Sequence, residues 1–119
     1  MKVNAIGALL VLISNAIFAS PQPVKQHRCA ADAIMDAKKL LSFHVNSPDL
    51  PVVEVYVEPT VHTLAPIRNP ASRDQILDVL EVWGWAYRGN FRMRLLYPRL
   101  KSANICVLVG QEVLSYAKF

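Results

Sequence analysis

The chain is poor in the residues that carry catalytic and cofactor chemistry. It has two cysteines, Cys29 and Cys106, and three histidines, His27, His44 and His62, spread over unrelated settings. No Cys-x-x-Cys, His-x-x-x-His or glycine-rich phosphate loop occurs, so no metal or cofactor is expected. A Gly-x-Ser-x-Gly elbow is also missing. The candidate carboxylate pairs are Glu54 with Glu58 and Asp74 with Asp78. No pattern draws either into the apolar pocket that raises an acid's pKa. The expectation is therefore a non-enzyme. The alternatives are a small envelope hydrolase using His62 with a carboxylate, or a structural envelope component.

Charge is sparse as well, at 18% of 119 residues, against 53% hydrophobic residues and only four glycines. Those figures exclude a disordered, collagenous or coiled-coil chain and allow one domain. Part of the apolar content lies in the first twenty residues. Lys2 precedes the uncharged run Ala5 to Ile13, and Ala16, Ala19 and Ser20 follow, which is the layout of a secretory signal peptide. Residues 1–19 are assigned to it, with retention as a membrane anchor as the alternative. Residues 20–28, polar and with two prolines, read as an extended leader, and 29–119 as a single α+β domain. Export places that domain in the periplasm or outside the cell.

Without residues 1–19 the chain has 100 residues and a net charge of +3, since Lys2 is the only charge removed. A core that small usually gains from a covalent staple. In an oxidising compartment a single pair of cysteines reads as one disulfide, Cys29–Cys106.

After Cys29, residues Ala30, Ala33, Ile34, Ala37, Leu41 and Val45 fall on one helical face, and Asp32, Asp36 and Lys39 on another. The small residues predict a helix lying close against a sheet, ended by Asn46-Ser47-Pro48-Asp49. Val52 to Val57 reads as a short edge strand between prolines. From Glu58 to Ala71, with Pro59, Pro66 and Pro70, no periodicity shows, and a long stiff loop is expected. Ser72 to Gln75 fits a capping box opening a short helix, but a strand is favoured from about Leu77. A second strand follows to Pro98. A third is expected over Ile105 to Val109, with Gly110-Gln111 as a break and Val113 to Ala117 as a continuation. The predicted fold is α+β: one amphipathic helix on an antiparallel meander of about four strands.

Arg88-Gly89-Asn90 marks a hairpin. A two-residue loop at Gly89-Asn90 puts Trp83, Trp85, Tyr87, Arg92 and Arg94 on one face, with Val82, Gly84, Ala86, Phe91, Met93, Leu95 and Tyr97 on the other. A three-residue loop, Arg88 to Asn90, joins both tryptophans to Phe91, Met93, Leu95 and Tyr97 beneath the helix. The second buries more large side chains and is favoured on that ground. In either register the arginines stay outside. Arg88, Arg92, Arg94, Arg99 and Lys101 form a stretch with no acid, a candidate surface for a protein or other anionic envelope partner. The bland alternative is a solvated face paired with Asp74, Asp78 and Glu81. Nucleic acid is not expected of an exported, mildly basic chain.

Taken together, Cys29-Ala-Ala-Asp opening the helix, the late Cys106 and Leu114-Ser115-Tyr116-Ala117 resemble small exported cystatin-like bacterial proteins of the YebF and colicin M immunity type. Ten residues from Cys106 to Tyr116 and the proline-rich stretch are this chain's own. The resemblance implies a one-disulfide helix-on-sheet fold and a protein-binding role, and carries over no functional residue beyond the cysteine pair.

Overall fold

The computed structural model describes residue 7 and residues 25–87, 89–101 and 104–117. The expected signal peptide apart from Gly7, most of the leader and Arg88 lie outside the described residues. One helix, α1 (Ala30–Val45), packs on a five-stranded antiparallel sheet made of β1 (Val55–Val57), β2 (His62–Asn69), β3 (Ser72–Ala86), β4 (Gly89–Pro98) and β5 (Gly110–Ala117). The order across the sheet is β1-β3-β4-β5, and β2 pairs with β3 along the same edge as β1.

The helix spans the residues its periodicity predicts. Ala30, Ala33, Ala37 and Leu41 are buried, and Leu40 and Val45 pack beside them. Three alanines in that stripe let the helix axis sit close to the sheet. The tightest approach is at Gly84, where a Cβ would come 2.7 Å from the Tyr56 carbonyl and 2.9 Å from Leu41. The inner face supplies Leu80, Val82, Ala86, Phe91, Met93, Leu95 and Tyr97. Tyr97 is wholly buried and donates its hydroxyl to Asp36 of the helix at 2.7 Å. Burial first, and the Asp36 carboxylate second, push that phenol far above its ordinary pKa.

Both helix ends are tied down. At the C-terminus, Asn46 accepts from the Val53 N–H at 2.6 Å and donates to the Val53 carbonyl at 3.2 Å. At the N-terminus, Cys29 is bonded to Cys106, 77 residues away, with 5.7 Å between the Cα atoms. The predicted staple is present.

Several expectations are corrected. The proline-rich stretch is largely the strand β2, which pairs with β3 and accommodates Pro66 at a register shift between Leu64 and Ile67. A proline cannot donate to a ladder, but it fits an edge strand at an irregularity. Ser72 to Gln75 opens β3, not a helix, because Asn69 and Ser72 already pair across the turn. The edge strand shrinks to Val55–Val57. The polar backbone of Val53 is taken by Asn46, and β3 ends opposite Val55. Residues 105–109 are not a strand, because Pro98 ends β4 and Cys106 must reach the helix start. The strand begins at Gly110, where a break was expected.

The hairpin also differs from both predicted loops. Ala86 pairs with Gly89, and Tyr87, which follows Ala86 into the turn, has a left-handed φ of 52°. Trp83 lies opposite Arg92 and Glu81 opposite Arg94. The favoured three-residue register is overturned, and the faces are those of the two-residue alternative with a shifted turn. Counting buried area overlooked room. A helix that contacts the sheet through alanines and closes to within a Cβ of Gly84 leaves no space for two indoles.

Candidate interaction face

The register places a row of side chains on the face away from the helix. Across the sheet near the hairpin, Tyr56, Trp85, Asn90 and Tyr116 stand in one rank. Trp83, Arg92 and Leu114 form the next. Then come His62, Glu81, Arg94 and Glu112. Leu64, Val79 and Leu96 complete the face toward the other end. Alternation along each strand is what brings these residues together, since every second side chain points the same way.

The aromatic side chains are paired. Tyr56 stacks on Trp85 with centroids 5.9 Å apart and planes within 15°, and Trp83 stacks on Tyr116 at 5.6 Å. Trp85 is 44% exposed and Tyr56 48%, so the first stack remains open to solvent. Beside it, Leu50, Pro51, Val52, Val53, Glu54 and Tyr87 help enclose a hollow of about 670 Å³. The Glu54 carboxylate, by hydrogen bonding and then by charge, raises the Tyr56 phenol above its ordinary pKa.

The charged rank is balanced. Glu81 accepts from Arg94 at 3.1 Å, lies 3.7 Å from Arg92 and accepts the Trp83 indole N–H at 3.1 Å. Arg94 also reaches Glu112 at 3.7 Å. The Arg92 guanidinium sits 5.9 Å from the Tyr116 ring centre, a cation–π arrangement.

Of the five cations predicted to act together, Arg92 and Arg94 share this face. Arg99 follows β4 at its far end, bound to Asp78 at 2.8 Å, and Lys101 is exposed beyond it. Arg88 is outside the described residues. Of the three acids suggested as partners, Asp78 and Glu81 do hold arginines, whereas Asp74 is exposed at the start of β3. Sequence reasoning missed Tyr56 and Tyr116 as members of the face. The strand alternation of Val55–Val57 and Val113–Ala117 carried the signal, but not which strands they would pair with.

Asp78 belongs to a second small network. His27 Nδ1 accepts the Cys29 N–H at 3.0 Å, which leaves the proton on Nε2, and Nε2 donates to Asp78 at 3.0 Å. Burial alone would raise the Asp78 pKa, but the His27 hydrogen bond and the Arg99 guanidinium outweigh it and hold the carboxyl below its ordinary value. His62, the residue of the hydrolase alternative, is exposed on β2 and lines a cleft with Lys25, Gln26, His27, Thr60, Val61 and Thr63.

No family model, curated protein or solved structure matches the chain. Among the described residues, no helix is long and apolar enough to cross a membrane.

Proposed function

We propose that the chain is a small exported, non-enzymatic binding protein that takes a protein partner on the outer sheet face, in the manner of an inhibitor or immunity protein. The observation that carries this reading is the open face itself, with Trp85 and Tyr56 stacked beside a hollow and Arg92 and Arg94 next to them. Tryptophan, tyrosine and arginine are the residues that concentrate binding energy at protein interfaces, and a pocket beside them seats an anchoring side chain. The balanced charge of Glu81, Glu112, Arg92 and Arg94 supports a mixed protein surface over a polyanion. The leader-like first nineteen residues and the disulfide support export to the periplasm or beyond. The cystatin-like resemblance points the same way.

The test uses crosslinking in the native envelope, followed by capture with the purified partner. Trp85→Ala should weaken capture by about tenfold or more, an interfacial hot-spot effect, while leaving the disulfide and the unfolding midpoint nearly unchanged. Lys101→Glu, away from the face, should change capture little. Full capture by Trp85→Ala would rule the face out. Trp83 and Trp85 are the only tryptophans in the chain, so intrinsic fluorescence reports directly on occupancy.

A further inference from the structure

The two edges of the sheet are built differently. Along one, β1 has three residues, Pro59 follows it, and β2 carries Pro66, two register shifts and the exposed Arg68. These are the devices that stop a sheet edge from recruiting another strand. The other edge has no proline and no register shift, and one exposed charge. β5 runs for eight residues without proline, in unbroken register with β4 from Gly89–Ala117 to Leu96–Gly110. Most of it is exposed, Glu112 is its single charge, and among the described residues it pairs with β4 alone. The helix packs mainly on β1, β3 and β4 and reaches β5 at Ser115, whose hydroxyl lies 3.5 Å from His44 Nε2.

We propose that β5 pairs antiparallel with β5 of a second copy of this chain, making one continuous sheet across a two-fold axis. The strand is suited to itself. A two-fold axis near Leu114 sets Leu114 against its mate, and Glu112 against Tyr116, so no like charges oppose one another. Both side chains stand on the outer face and are partly exposed, Leu114 at 46% and Tyr116 at 39%. Self-pairing covers them and satisfies the free backbone groups of both edges. Closed two-fold pairing of this kind uses the same patch on each copy and ends with the dimer. It also sets the two Trp83–Tyr116 stacks side by side, which doubles the proposed binding face without depending on it.

Sedimentation of the full-length protein across micromolar to high-micromolar concentrations tests this. Wild type should pass from monomer to dimer mass. Leu114→Lys sets two lysines against each other at the axis and should remain monomeric throughout, with an unchanged circular dichroism spectrum. Backbone hydrogen exchange gives an independent reading: the amides of 111–117 should exchange more slowly in the wild-type dimer than at low concentration. A wild-type protein that stays monomeric overturns the proposal and leaves the edge for a strand of another protein. A dimer that survives Leu114→Lys, or whose β5 amides exchange unchanged, overturns it as well.

Discussion

At the scale of single residues, the most informative group is Asp78. It holds the leader to the sheet through His27 and holds the end of β4 through Arg99. Because its folded pKa is lowered despite the opposing effect of burial, its stabilisation is present above the unfolded carboxylate value of about 3.9. It is lost as pH falls through the folded value. Equilibrium unfolding followed from neutral pH downward should therefore show a loss of stability concentrated below about pH 4. Asp78→Asn should be less stable at neutral pH and should lose less on acidification. An acid profile identical to wild type would show that the network contributes nothing. Sequence alone brought Asp78 forward as a possible arginine partner and as half of a carboxylate pair with Asp74, but not as a partner of His27, since that tie crosses 51 positions.

At the scale of elements, the helix and the hairpin show what local pattern can and cannot reveal. The helix was legible from end to end, because its stripe of alanines repeats with the helical period and neither glycine nor proline interrupts it. The same alanines hold the answer to the hairpin register. They bring the helix so near that the sheet beneath must offer Gly84 and Ala86, which turns Trp83 and Trp85 outward. Gly84→Ala tests this contact. Its Cβ would meet a backbone carbonyl at 2.7 Å, which cannot swing aside as a side chain can. A loss of about 1–3 kcal/mol is expected from such overpacking, measured by denaturant titration, although Ala is otherwise the milder residue in a strand. Strand β2 was illegible for a different reason. Pro66 within it and the prolines that flank it hide its alternation, and only its partner β3 makes it a strand. The turn at Tyr87 was hidden too, because Gly89-Asn90 looks like the better turn. Gly89 instead lies under Phe91, whose ring would contact an added Cβ at 2.8 Å.

For the whole molecule, the disulfide joins the two halves of the fold. It runs from the start of the helix to the segment that leads into β5, closing a loop of 77 residues. Chain-entropy arguments assign about 4.5 kcal/mol to such a loop, against about 5–15 kcal/mol for an entire domain. The effect also reaches the proposed binding face. β5 supplies Tyr116, which stacks on Trp83, and Leu114 beside Arg92, and β5 is held by β4 on one side and by Cys106 upstream. The double substitution Cys29→Ala/Cys106→Ala should lower the unfolding free energy by about 3–5 kcal/mol, read from the urea midpoint. Below that midpoint, the freed β5 should fray before the helix melts. Tryptophan emission would then shift to the red while helical circular dichroism persists, because both indoles lie on the face that β5 completes. Coincident loss of the two signals would mean that the sheet edge does not depend on the staple, and that the face is organised by β3 and β4 alone.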